Sequence, residues 1–334
     1  MSRKIKIVFY IHSPTTYQID FFNELRKYYE VYIIYKYKFS NNHKLNFKIP
    51  NWMTFLNTKK TNTINKIIEK KKPNVVIIGG YKMDIQIKDK SIKKYFWLER
   101  LNNQNSALKI FLRKFYIKFK LSSAEGIFAI GNEAKKFYKK FNNNVFNIPY
   151  SIKTQKKIRK SINPKFLYVG QLIKRKGIDN LIKIIPNANN SNCSFTFVGN
   201  GPLKKKVLKL AKQEKNVFYH NFLNKNNLDK VYKKNNILIL PSKYDGWGVV
   251  VIEAMARGMA LISNKSVGAA SEYIKHNFNG RLYNINNSTL ESQIIFFQKN
   301  PNKINIFGNK NFILFQKNLC NTINAVRRVT KIIK

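Results

Sequence analysis

The sequence predicts an α/β protein made of two Rossmann-like, doubly wound parallel sheets facing each other across a cleft, and three observations carry that expectation. Short β-branched and aromatic runs alternate with longer helical patterns, the rhythm of parallel strands joined by crossover helices. The rhythm breaks once, at a lysine-rich polar stretch without hydrophobic period that ends at Pro164, where a linker is expected. A chain of 334 residues also has room for two domains, each with its own core.

The first series runs through Ile5 to Ile11, Val31 to Tyr35, Val75 to Ile78, Tyr95 to Leu98, Ile127 to Ile130 and Val145 to Ile148. The second begins at Phe166 to Val169, continues through Phe195 to Val198, Val217 to Tyr219 and Ile237 to Leu240, and ends near Ala260 to Ser263. Pro149-Tyr150-Ser151-Ile152 opens the polar stretch between them, so the domains are expected at 1–150 and 151–310. In open parallel sheets ligands sit beyond the carboxyl ends of the strands, which places the informative residues in loops that follow strands.

Apolar residues make up 44% of the chain and aromatic residues 14%, enough to bury a core and to exclude disorder. The formal charge of +47 and a pI near 10.2 raise nucleic acid as a partner class. Only 10 of the 63 basic residues are Arg, however, and the lysines are strewn among Asn, Ile, Phe and Tyr, a profile that fits a genome rich in A and T. A specific nucleic-acid partner would require clustered Arg and an aromatic stacking module, and neither is visible. The field still draws the protein toward anionic membrane surfaces or substrates, and its associations should be salt-sensitive. Cys193 and Cys320 form no framework and share no metal-ligand spacing with the four histidines, which fits a reducing cytoplasm. The N-terminal residues enter a strand-like stretch too soon for a signal peptide, and no apolar run is long enough to span a membrane, so membrane contact is expected to be peripheral.

The densest chemical signal follows Ile237 to Leu240 and the turn Pro241-Ser242. There Asp245 and Glu253 are separated by seven residues, with Gly246 and Gly248 between them. Glycines permit close backbone approach. From Val249 to Arg257 the pattern is helical, so the amides of Gly248, Val249 and Val250 open a helix N-terminus that attracts a diphosphate. Glu253 lies about one turn further in, where a carboxylate accepts two hydrogen bonds from a ribose diol, while Asp245 sits on the loop nearer a sugar. Without the intervening glycines the same two acids would read as solvated surface charges.

This segment resembles the E-x7-E signature of retaining glycosyltransferases of family 4, in a variant with Asp at the first acidic position. Phe166 to Gly177 resembles the family's phosphate-binding segment, with Lys176 at the diphosphate lysine and Gln171 where many members have Arg. Phe197 to Pro202 resembles its Gly-x-Gly-Pro turn, and Val267 to Glu272 and Phe278 to Gly280 its closing segments. Order and spacing across these five matches distinguish them from a lone Gly-rich turn. The resemblance implies the GT-B fold, a nucleotide-diphosphate sugar as donor, retention at the anomeric carbon, and a last segment, 311–334, that crosses back to the first domain. Similarity to members that build bacterial surface polysaccharides implies a glycan, lipid-linked or lipopolysaccharide acceptor.

The residues expected to carry catalysis are Asp245, Lys176, Glu253 and Glu99. Donor contacts are expected from Gly170, Gln171, Arg175, Lys176, Gly199, Asn200, Gly246, Trp247, Gly248, Val249, Val250 and Glu253. On the acceptor side stand His12, Thr15, Thr16 and Tyr17 after the first strand-like run, Arg100 beside Glu99 after the fourth, and Gly131 and Asn132 after the fifth. Several have a second reading: Glu99 and Arg100 as a loop-ordering ion pair, His12 as a packed residue, Glu272 as a brace for its helix. With Lys176, neighbouring basic side chains and helix amides available for the leaving diphosphate, and no Asp-x-Asp pair in the chain, no metal is expected to be required. Because Gln171 replaces the commoner Arg, a sugar-nucleotide-binding protein without turnover remains an alternative, as does the basic nucleic-acid-binding class.

Between Ser106 and Lys120 the residues Leu108, Phe111, Leu112, Phe115 and Phe119 recur at helical spacing, with Lys109, Arg113, Lys114, Lys118 and Lys120 in the other positions. Such a stripe either lies on an anionic membrane or packs against its own domain with a lysine-rich outer face.

Overall fold

A computed structural model describes residues 4–37, 50, 52–56, 61–83, 85–101, 107–157, 161–188, 192–284 and 289–334. The chain forms two compact units, the first made of Met1–Lys153 and Leu319–Lys334 and the second of Thr154–Asn318.

The strands of the first unit are β1 (Lys6–Ile11), β2 (Glu30–Tyr35), β3 (Met53–Phe55), β4 (Val75–Gly79), β5 (Lys93–Leu98), β6 (Gly126–Ala129) and β7 (Val145–Asn147). They form one parallel sheet in the order β3-β2-β1-β4-β5-β6-β7. The central pair reads as nearly continuous apolar runs, KIVFYI and VVIIG, because helices cover both faces of a parallel sheet. Strand order reverses between β1 and β4, which places the topological switch point beyond Ile11 and its register partner Gly79. On one face the helix Thr16–Leu25 buries Phe21, Phe22 and Leu25, with Phe22 tilted on Phe9 at 4.7 Å, and each such burial contributes about 2 kcal/mol. The helix Thr322–Ile333 lies against it with Val326, Val329 and Ile333 inward. It is tied to the first unit where the Ile152 amide donates to the Cys320 carbonyl at 3.0 Å and the Thr322 amide to the Ile152 carbonyl at 3.0 Å.

The second unit contains β8 (Lys165–Val169), β9 (Ser194–Val198), β10 (Val217–His220), β11 (Ile237–Leu240), β12 (Ala260–Asn264) and β13 (Arg281–Tyr283). They too are all parallel, in the order β10-β9-β8-β11-β12-β13, and the switch point falls between β8 and β11. The loops after those two strands meet at Gly177, whose φ of +75° is left-handed and where a side chain would collide with the Pro241 carbonyl. The Lys243 amide then donates to the Arg175 carbonyl at 2.9 Å, fastening one loop to the other.

Three expectations are corrected. The second sheet does not end at β12 but continues to β13, a strand of three residues too short to announce itself as a hydrophobic run. β3 is missed for the same reason. The return to the first unit starts at Leu319 and not at 311, because Asn302–Lys317 is one helix that stays in the second unit. Asn311 lies buried in its middle and donates to the carbonyls of Met259 and Asn279, both at 2.8 Å, while accepting from the Asn279 side chain. Of the predicted stripe, Ser106 and the side chains of Leu108 and Lys109 lie outside the described residues.

Candidate functional site

At the carboxyl edge of the second sheet, the segment after β8 passes through Gly170 and Gln171 into a single 3-10 turn, Lys174–Lys176. Gly170 and Gly199 approach so closely that a side chain on Gly199 would occupy the Gly170 carbonyl, and the Leu172 amide donates to the Asn200 carbonyl at 2.9 Å. Asn200 turns its own side chain back to the Gly201 amide at 2.8 Å. The Gln171 carbonyl accepts from the Tyr168 hydroxyl at 2.7 Å. Burial and the nearby Asp245 carboxylate push that hydroxyl well above the ordinary tyrosine range, so it acts as a fixed donor.

Across the switch point, the Lys176 ammonium hydrogen-bonds directly to the Asp245 carboxylate, and both side chains are about five-sixths buried. Arg175 reaches over the same loop and donates to the Tyr244 carbonyl at 2.6 Å. Asp245 is held by backbone as well: its carbonyl accepts from the Gly268 amide at 3.2 Å, which ties the loop after β11 to the segment Val267–Glu272. Gly246 and Gly248 complete the loop, Gly248 with a φ of +86°, and the helix Val249–Met255 starts there. Val249 and Val250 are partly exposed at its first turn.

Glu253 sits on that helix and its carboxylate accepts from the buried Tyr232 hydroxyl at 2.7 Å. Arg257, which ion-pairs with Asp229 at 2.5 Å, lies 4.5 Å over the Tyr232 ring and donates to the Glu253 carbonyl at 2.9 Å. Burial first, and then the Glu253 carboxylate, hold the Tyr232 proton on its oxygen. One carboxylate face is therefore fixed by the protein. Trp247 does not offer its ring as a donor contact: it is 2% exposed and packs edge-on to Tyr273 at 5.8 Å, so its side chain builds the loop from beneath.

The first unit has a cavity of about 180 Å³ at its own switch point, lined by Ile11, His12, Ser13, Thr15, Tyr17, Gln18, Gly79, Trp97 and Tyr150. Thr15 caps the helix start without a side-chain cap bond and instead donates to the Gln18 side chain at 2.9 Å. The Tyr150 hydroxyl is hydrogen-bonded to both Glu99 and Tyr17, and its pKa is pushed far up by burial and then by the Glu99 charge. Its ring packs on Tyr17 at 4.9 Å and on Trp97 at 5.6 Å. Tyr150 is a site residue that the sequence assigns only to the start of the linker. The available signal was an aromatic residue next to the polar linker, directly after a strand.

Four predicted acceptor-side residues do not line this cavity. Thr16 points into solvent on the first turn of its helix, and Arg100 lies beyond the lining residues. The Gly131 amide is already satisfied by the Asn147 side chain at 3.2 Å, and Asn132 accepts from the same side chain at 2.9 Å, so this pair holds β6 to β7. His12 does line the cavity, 4.7 Å from the Tyr37 ring. Partial burial and then Lys36 lower its pKa from 6.5. Because the folded state favours the neutral ring, the stability His12 contributes is present above the unfolded value of about 6.5 and is lost as pH falls below it. An NMR titration should place the His12 Cε1–H midpoint below that of a free histidine; an equal or higher midpoint contradicts the partly buried, lysine-facing ring.

Both units thus present their loops in the manner of GT-B proteins, and the comparisons agree. Residues 151–314 match the family described as Glycosyl transferases group 1. The chain is 32% identical over 158 residues to an uncharacterized glycosyltransferase of Methanocaldococcus jannaschii, a match covering 45% of this chain and 40% of that protein. The chain therefore spans about two-fifths of the length of such relatives. Its fold is that of the Anabaena protein HepE in complex with UDP, at a TM-score of 0.75 and 13% identity over 98% of this chain and 99% of that one. WaaG, a glycosyltransferase involved in lipopolysaccharide biosynthesis, shares the fold at a TM-score of 0.69 and 13% identity, over 98% and 99% of the two chains.

Proposed function

We propose that this protein is a retaining, metal-independent glycosyltransferase of family 4 that moves a sugar from a nucleotide diphosphate to a glycan or lipid-linked acceptor in surface-polysaccharide or lipopolysaccharide biosynthesis. The observation that carries the reading is the Lys176–Asp245 pair, which joins the two loops of a switch point inside the segment similar to glycosyl transferases group 1. A cation and a carboxylate side by side match the two ends of a sugar diphosphate. With donor bound, the Lys176 ammonium exchanges Asp245 for the departing phosphate, and Asp245 takes sugar hydroxyls. Negative charge grows on the leaving diphosphate in the transition state, so a fixed cation stabilises that state more than the ground state. Arg175 and the amides at the start of the helix Val249–Met255 add to the same field. Glu253, with one face held by Tyr232, keeps the other for a ribose diol.

The hydroxyl and carboxylate groups of Tyr17, Tyr150 and Glu99 in the first unit suit an acceptor rich in hydroxyls. The UDP bound by HepE and the lipopolysaccharide role of WaaG support the donor class and the pathway.

The test is a screen of nucleotide sugars by release of nucleotide diphosphate, run with and without lipid-linked acceptor and with chelator. Selective release, enhanced by acceptor and unaffected by chelator, is expected. Saturable binding without release would make this a sugar-nucleotide-binding protein instead. Equal affinity for every nucleotide sugar would overturn the specific pocket, and activity lost in chelator but restored by a divalent cation would overturn metal independence.

A further inference from the structure

The helix Ala107–Ser122 of the first unit, ALKIFLRKFYIKFKLS, contains no acidic residue. Its inward side is provided by Ile117 and Leu121, both fully buried in the core of that unit. A helix anchored by that side gains nothing from phenylalanines on the other. Yet Phe111, Phe115 and Phe119 recur at i, i+4 and i+8 and stand in solvent, 66%, 70% and 79% exposed, with Leu112 beside them at 58%. This removes the reading in which the stripe packs against its own domain.

At 3.6 residues per turn the aromatic ridge has Lys114 and Lys118 along one flank and the exposed Leu112 and Tyr116 along the other. The rings recur one turn apart in solvent, and every charged residue of this helix is basic. A protein interface core is usually depleted of lysine, whereas aromatic rings beside a row of lysine suit hydrocarbon beneath anionic headgroups. The lysine stems lie along the apolar boundary with their ammonium groups turned to phosphate. The chain's charge of +47 reinforces the attraction. Among the described residues no helix is long and apolar enough to cross a membrane, which suits contact in the plane of the interface.

We propose that this face of the helix Ala107–Ser122 docks the protein onto an anionic lipid surface, Phe111, Phe115 and Phe119 entering between headgroups that Lys114 and Lys118 bind. The inference does not depend on the sugar-transfer reading.

Flotation of the full chain with vesicles of phosphatidylglycerol and phosphatidylcholine, compared with phosphatidylcholine alone, tests it. The wild type should bind the anionic vesicles, and less tightly as salt is raised. The variant Phe111→Ser, Phe115→Ser, Phe119→Ser should bind them about tenfold more weakly or worse, with an unchanged Tm because the three rings are in solvent. Lys114→Glu with Lys118→Glu should weaken binding as well. A wild type that does not float with anionic vesicles, or a serine variant that floats as well as the wild type, overturns the proposal. So does a wild type that fails to bind vesicles but self-associates through a contact the serine variant abolishes, which would make a second copy the occupant.

Discussion

Replacing Lys176 with Ala is expected to lower donor turnover by roughly two orders of magnitude, the effect of removing one fixed charge-stabilising group from a transition state. The same change should destabilise the fold by about 2 kcal/mol, because it removes the ammonium that pairs with the largely buried Asp245 carboxylate. The two effects are separable. Adding Asp245→Asn to Lys176→Ala removes the largely buried negative charge, so the double variant should regain most of the lost Tm while turnover stays low. If Lys176→Ala alone keeps turnover near wild type, the ammonium does not serve the leaving group. If the double variant recovers turnover together with Tm, Lys176 acts through the fold.

Glu253→Ala is the second large effect expected: a rise of about tenfold or more in donor KM together with a severe fall in kcat, as a ribose contact is lost at the donor site. It also removes the hydrogen bond that the buried Tyr232 hydroxyl donates to this carboxylate, at a cost of about 1–3 kcal/mol. Tyr232→Phe provides the comparison. It retains the ring beneath Arg257 and the Glu253 charge, removes only the bond that fixes one carboxylate face, and should raise donor KM by only a few-fold. Unchanged donor kinetics in Glu253→Ala would sink the ribose assignment. Equal kinetics for Glu253→Ala and Tyr232→Phe would mean that orientation, rather than the carboxylate itself, is what the donor requires.

The parts of the fold legible in the sequence are those where one physical demand dominates. β1, β4 and β11 are buried on both faces and so spell out uninterrupted apolar runs. The glycines at 177 and 199 mark close backbone approaches and Gly248 a left-handed turn, which is why the loops around Lys176 and Asp245 are legible while their ion pair is not. β3 and β13 were not legible, since three residues show neither period nor length. Neither was the break after Asn318. The helix Asn302–Lys317 and the helix Thr322–Ile333 are separated only by residues 318–321, with no Gly or Pro between them, and their assignment to different units rests on the buried Asn311 and on the pairing of Ile152 with Cys320 and Thr322. Side-chain partners across long separations were the least visible: Tyr232 with Glu253, Tyr150 with Glu99, and Asn147 with Gly131 depend on how strands align, which no local pattern states. Trp247 illustrates the converse error, a residue beside a ligand loop in sequence whose ring turns inward.

The helix Thr322–Ile333 has a consequence for how the molecule is made. The first unit is discontinuous, since it takes residues from both ends of the chain, and contacts such as that of Tyr29 with Thr330 bridge 301 positions. The second unit is one uninterrupted segment. During synthesis the later half can reach its native packing as soon as it leaves the ribosome, while the earlier half must wait with the side of the helix Thr16–Leu25 that meets the helix Thr322–Ile333 uncovered until residues 319–334 emerge. The order of folding is thus the reverse of the order of translation, and the interval in which the first-made unit lies incomplete is when the nascent chain is most open to aggregation and to chaperones.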